Sequence, residues 1–158
     1  MTFVRMKGQR RRHEVGDLFV FQLERDKKFR FGRIVKMGET TREARFPGEM
    51  LVYVYDVASD EPLCEWSDLT PDRVLVPPFF TMSIMWYKGY FRTIHHEPVE
   101  PHMLLSQHCF YSAGFPGYYV DENDKRLDRR YEPCGYFSLA RMDITESEIE
   151  EALDKRGS

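Results

Sequence analysis

The stretch from Pro77 to Phe91 constrains this chain more than any other: Pro-Pro-Phe-Phe-Thr-Met-Ser-Ile-Met-Trp-Tyr-Lys-Gly-Tyr-Phe. It holds six aromatic residues, two prolines, one glycine and no acidic group. So much apolar surface cannot be left in water, and the stretch must be packed or form a recognition surface. The Pro-Pro pair fixes its entry, because each ring locks φ and Pro78 biases Pro77 toward extended geometry. Taken singly, Phe79, Phe80, Trp86, Tyr90 and Phe91 are each more often core than interface. Trp86, Tyr87 and Lys88, beside the bend expected at Gly89, are the candidates for surface anchors. A second aromatic cluster, Phe110, Tyr111, Phe115, Tyr118 and Tyr119, is interrupted by Gly114, Pro116 and Gly117. Together they point to a protein that works by surface contact more than by a catalytic constellation.

An aromatic share of 15% favours a β-rich fold, where flat side chains stack across strands. The apolar runs follow suit. Leu18 to Leu23 reads as a buried strand after the Gly16-Asp17 turn, and Phe29 to Lys36 as its hairpin partner. Gly32 inside that partner marks a close backbone approach or a bulge. Met50 to Asp56 is the strongest strand pattern and therefore central. Shorter strands are expected at Val74–Val76, Gly89–Ile94, Gln107–Ser112, Tyr118–Asp121 and Tyr136–Leu139, with a long polar loop over Gly38–Gly48. Brief helical turns fit Asp68–Asp72 and the Pro101 to Leu105 region. At the C-terminus Thr145 and Glu148 have capping-box spacing, Ile144 and Ile149 stand at staple positions, and Gly157 suits a C-terminal cap. The expected fold is α+β: a twisted antiparallel sheet or open barrel of roughly five to eight strands with a capped C-terminal helix. Residues 1–14, basic at Lys7 and Arg10 to Arg12, read as a flexible N-terminus, and residues 15–158 as a single α+β domain.

A net charge of −3 gives no electrostatic reason to expect a nucleic-acid partner. No run is long enough to span a bilayer and no signal-type core follows the N-terminus, so no membrane partner is expected and the cytoplasm is the expected compartment. The three cysteines, Cys64, Cys109 and Cys134, are odd in number and widely spaced, which argues against a disulfide framework and for a reducing compartment.

The candidate chemical sites are weak. His95 and His96 are adjacent in an expected strand and point to opposite faces, so they do not bind one ion together, and no helical pair of the zinc-hydrolase kind accompanies His102 and His108. Cys109 beside His108 lacks the elbow or helix start that activates a thiol. Asp121-Glu122-Asn123-Asp124 has part of a calcium-loop pattern but lacks its glycine and distal glutamate. No catalytic residue, metal or cofactor is therefore assigned. The acidic turns at Asp56, Asp60 and Glu61 and at Asp121, Glu122 and Asp124 are instead read as surfaces that steer a basic partner.

An ordered set of short motifs runs through the chain. It comprises Gly16-Asp17-Leu18-Phe19, Phe31-Gly32-Arg33-Ile34-Val35, Leu51-Val52-Tyr53-Val54-Tyr55-Asp56, Pro77-Pro78-Phe79-Phe80-Thr81 and Trp86-Tyr87-Lys88-Gly89-Tyr90-Phe91. Gln107-His108-Cys109-Phe110, Gly117-Tyr118-Tyr119 and Glu132-Pro133-Cys134-Gly135 complete it. This order resembles the bacterial immunity protein family 26 of polymorphic-toxin loci, over about residues 15 to 155. The resemblance implies an α+β protein that is not an enzyme. Its implied role is to bind and neutralise a cognate protein toxin by stoichiometric occlusion, in systems of the contact-dependent growth inhibition kind. Thr81 to Met85 departs from the more polar, proline-containing version associated with the family. Two other classes compete: a small metal-dependent hydrolase of the organophosphate-hydrolase type, through His95, His96, His102 or His108, and a nucleic-acid-binding barrel using Arg10 to Arg12.

Overall fold

The computed structural model describes residues 2–38 and 48–157; the loop expected between Gly38 and Gly48 lies almost wholly outside them. Among the described residues, strands β1 (Asp17–Gln22), β2 (Phe29–Met37), β3 (Met50–Ser59), β4 (Phe79–Thr81) and β5 (Arg92–His96) form one sheet in the order β4-β3-β2-β1-β5. Strands β6 (Cys109–Ser112), β7 (Tyr118–Val120) and β8 (Cys134–Tyr136) form a second sheet in the order β7-β6-β8. All pairings are antiparallel except β6 with β8. Neither sheet closes on itself, so the fold is α+β with an open sheet and the barrel alternative falls away.

The continuous apolar runs of β1 and β3 arise because both faces of the large sheet are covered. Side chains alternate across a strand, so neighbours enter different cores. Phe19, Phe21, Val52 and Val54 join Trp86, Phe91, Ile149 and Leu153 on one face. Leu18, Val20, Tyr53 and Tyr55 join Phe110, Val120 and Leu69 on the other. Burying one such side chain stabilises the fold by roughly 1.5–3 kcal/mol. Gly32 makes the close approach its position suggested: it pairs with Phe19 across β1 and β2, and a β-carbon there would overlap the Phe19 ring.

Several elements differ from the sequence expectations. β4 was not expected, while Val74–Val76 contributes only a bridge from Val74 to Tyr55 and the bond from Leu75 N–H to the Val54 carbonyl. Residues Ile84–Tyr87 form a short helix, α1, and β5 starts at Arg92 rather than Gly89. The N-terminus is not a loose arm. Phe3 is buried and bridges Leu23, Met6 N–H donates to Gly89 O at 2.8 Å, and Gln9 N–H donates to Trp86 O at 2.9 Å. The Gln9 side chain also makes both hydrogen bonds to the Thr93 backbone. One aromatic anchor and a row of backbone bonds outweigh the entropy of a basic, non-periodic segment.

The C-terminal helix, α2 (Met142–Lys155), begins three residues before the expected cap, with Arg141 at the N-cap position. Thr145 lies inside it, buried, and its hydroxyl donates to the Arg141 carbonyl at 2.9 Å. The face built by Met142, Thr145, Ile149, Ala152 and Leu153 explains the extension, since docking that whole stripe holds the first turn. Ile144 falls off the stripe and is exposed instead of stapling the entry. The other end matches expectation: Gly157 has φ +71° and its N–H reaches Asp154 O.

Candidate functional site

The aromatic stretch splits by direction. In α1, Trp86 turns inward and is 0% exposed, so it is not a surface anchor. Its ring meets His13, Phe19 and Phe91 with centroids 4.6, 5.1 and 5.3 Å away, and its indole N–H donates to Thr93 Oγ1 at 2.9 Å. The next residue, Tyr87, faces out and lies 5.7 Å from the Arg10 guanidinium. Lys88 follows, exposed, and pairs with no described carboxylate. The bend beyond it requires glycine: Gly89 has φ +80° and a β-carbon there would strike the Met6 carbonyl.

Two apolar grooves flank the segment that leads from β8 into α2, and both include Ala140. One, of about 340 Å³, lies between α2 and the Pro77-Pro78 corner, with Tyr136, Ile144, Glu148 and Ala152 in its walls. The other, of about 470 Å³, runs between α1 and that segment, with Ile84, Lys88, Leu139 and Met142 in its walls. Tyr136 (66% exposed), Ile144, Leu139 and Ile84 present large apolar surface along these grooves, and Tyr87, next to Lys88 on α1, is exposed as well. Such a cluster is typical of the centre of a contact surface. Glu148 is half-buried in the first groove. Burial, reinforced by the nearby Glu151, pushes its carboxyl above the usual carboxylate range. It pairs with no described cation; Lys155 stands further along α2, and Arg156 is engaged by Asp56 at 2.8 Å.

The acidic candidates thus divide. Asp56 is tied to Arg156 at the rim of this groove. Asp60 and Glu61 are exposed beyond β3, where Glu61 N–H meets Ser59 Oγ at 3.2 Å. Asp121 uses one oxygen to hold the N–H groups of Asn123 and Lys125, and Asp124 sits exposed with φ +62°. Glu122 is turned inward against His108. The sequence reading missed Tyr136, Leu139, Ile144 and Glu148. The available signal was Ile144, an apolar residue off the buried stripe of its helix.

The histidines have separate partners. His95 stacks on Trp66 at 4.7 Å, His96 Nδ1 lies 3.0 Å from Asp17 Oδ1, and His102 faces Glu100. His108 lies between Tyr53 and Glu122. One donor cluster with metal-like proximity occurs among the described residues, Glu14, Asp17 and His96. It already contains a cation: Arg11 reaches the fully buried Asp17 carboxylate at 3.5 Å.

Arg33 is buried at 1% exposure, near the floor of a pocket of about 210 Å³ bounded by Trp66, Leu69, Pro71, Glu97 and Met103. One nitrogen reaches Glu97 at 3.4 Å, while Nε and Nη1 have no hydrogen-bond partner among the described residues. A desolvated guanidinium with one long ion pair recovers little of its hydration energy. Replacing it with methionine is expected to change unfolding free energy by less than about 1 kcal/mol, whereas Glu97→Ala is expected to destabilise by about 2–3 kcal/mol by leaving the guanidinium uncompensated. Urea denaturation of both variants checks this; an Arg33→Met loss as large as that of Glu97→Ala would refute it.

Residues 14–116 match the family described as Immunity protein 26. The matched stretch is well over half of the chain, and the protein belongs to this family. No curated protein and no solved structure gives a significant match. The match contains β1 to β6, the Pro77-Pro78 corner and α1, and ends before β7, β8 and α2. The groove beside α2 therefore has one wall inside the matched stretch and one beyond it. No helix among the described residues is long and apolar enough to cross a membrane.

Proposed function

We propose that this protein binds a cognate bacterial toxin domain and neutralises it by stoichiometric occlusion. Its membership of the Immunity protein 26 family carries this reading. The apolar surface around Tyr87, Leu139, Tyr136 and Ile144 supports it, because protein recognition draws its affinity from aromatic and aliphatic anchors set in grooves. Charge at the groove rims would fix register. Lys88 offers a cation beside one groove and Glu148 a carboxylate within the other, so the complementary toxin segment presents a lysine or arginine to Glu148 amid apolar side chains. The exposed acidic positions Asp60, Glu61 and Asp124 would then contribute to encounter more than to affinity. The inhibitor would act in the cytoplasm of the cell that makes it, against a toxin delivered by neighbours.

The test is to express the C-terminal domain of the protein encoded by the adjacent upstream reading frame, with and without this protein. Rescue of growth and co-purification as an equimolar complex are expected. Ile144→Asp combined with Glu148→Lys is expected to weaken binding by at least roughly 30-fold without lowering thermal stability, in line with the cost of breaking a buried charge contact. Growth arrest that this protein does not relieve would overturn the proposal.

A further inference from the structure

Cys109 and Cys134 occupy directly opposed register positions on the parallel strands β6 and β8. Neighbouring strands lie about 4.8 Å apart, inside the roughly 4.4–6.8 Å between α-carbons that a disulfide spans. Both side chains are buried and turn toward each other, with sulfur atoms 2.9 Å apart. The wide sequence spacing that argued against pairing is thus removed by the fold, which brings together residues 25 positions apart. Cys64 lies elsewhere, on the segment after β3.

We propose that Cys109 and Cys134 are an oxidisable pair that closes into an intrachain disulfide, reached by a small-molecule disulfide through the groove beside α2. Cys134 lines that groove and is the sulfur an incoming reagent meets first. The Cys134 thiolate attacks one sulfur of the reagent, forming a protein–reagent mixed disulfide and releasing one reagent thiolate, which takes up the Cys134 proton. The Cys109 sulfur then attacks Cys134 Sγ, forms the intrachain bond and expels the second reagent thiolate, which takes up the Cys109 proton. The pair is thereby oxidised by two electrons and the reagent reduced to two thiols. The Tyr131 N–H points at Cys109 Sγ at 3.4 Å and stabilises charge on the resolving sulfur. Burial and the Cys109 thiol push the Cys134 thiol up to about 12, so closure is slow at neutral pH and faster in base. The bond would clip β8 to β6 and close the segment that carries β7 and the Asp121–Asp124 turn.

The test exposes the full chain to oxidised glutathione and follows intact mass, peptide mapping and thiol counts under denaturing conditions. The expected product has lost two hydrogens, contains a Cys109–Cys134 linked peptide, and retains one of its three free thiols, Cys64. Its thermal midpoint is expected to rise by about 7–14 °C, as loop closure of this length implies, and to return on reduction. Cys64→Ser should behave the same with no thiol left, and Cys109→Ser should stop at the glutathione adduct on Cys134. Retention of all three thiols after long exposure at alkaline pH would overturn the proposal. So would a wild-type protein that accumulates the Cys134 adduct without closing; both readouts hold even if the Cys109→Ser variant fails to fold.

Discussion

Trp86→Ala is expected to lower the free energy of unfolding by about 3–5 kcal/mol, the range for removing a large buried aromatic, whereas Tyr87→Ala should change it by less than about 0.5 kcal/mol. The two residues are neighbours on one helical turn, and only direction separates them. Trp86 lies between His13 from the N-terminal segment, Phe19 from β1 and Phe91, which leads into β5, so its loss opens a cavity touching three parts of the chain. It also leaves the Thr93 hydroxyl without its indole donor. With a total stability of the usual 5–15 kcal/mol, such a loss is a large share of the whole. Denaturant titration of both variants measures the difference. If Trp86→Ala proved as mild as Tyr87→Ala, the inward placement of the indole would be wrong.

Much of the large sheet was legible because its strands are buried on both faces. Leu18 to Gln22 and Met50 to Tyr55 are apolar at every position or nearly so, and that signature survives without knowledge of partners. β4 was not legible: it has three residues, follows two prolines, and is a strand only because Met50 to Val52 pair with it. The docking of residues 2–13 was hidden for a similar reason. Its main apolar anchor is Phe3, set in a basic segment with no periodicity. The helix start was misread because Thr145 and Glu148 have cap spacing, yet Met142 extends the buried stripe by one turn. The groove was least visible of all. Its walls come from Pro77-Pro78, Tyr136 and Ile144, which are far apart in sequence, and nothing local to any of them announces a shared surface. The opposed thiols were invisible on the same ground, since register between β6 and β8 exists only in the folded chain.

His108→Phe is expected to cost about 2–4 kcal/mol at neutral pH, through a buried hydroxyl and a half-buried carboxylate each losing a partner, and to remove part of the acid sensitivity of the fold. His108 joins the sheets: its Nε2 lies 2.6 Å from the hydroxyl of Tyr53 on β3, and its Nδ1 contacts the carboxylate of Glu122, just after β7. The proton order follows from the geometry. Burial pushes the Tyr53 phenol up to about 12, so the hydroxyl keeps its proton. That oxygen already accepts the Leu105 N–H at 3.0 Å, and it donates to Nε2. Nδ1–H is then the donor to Glu122, and this hydrogen bond is the main cause that holds the Glu122 carboxyl below its ordinary value of 4.5. A carboxyl depressed in the folded state stabilises fully above its unfolded value, and the contribution disappears as pH falls through the folded one. The wild type should therefore lose stability as pH drops below 4.5, while Glu122→Gln, already weakened at neutral pH, should show a flatter decline across the same window. Unfolding free energies at stepped pH decide the matter. Parallel curves for wild type and Glu122→Gln would show that the histidine does not hold this carboxylate.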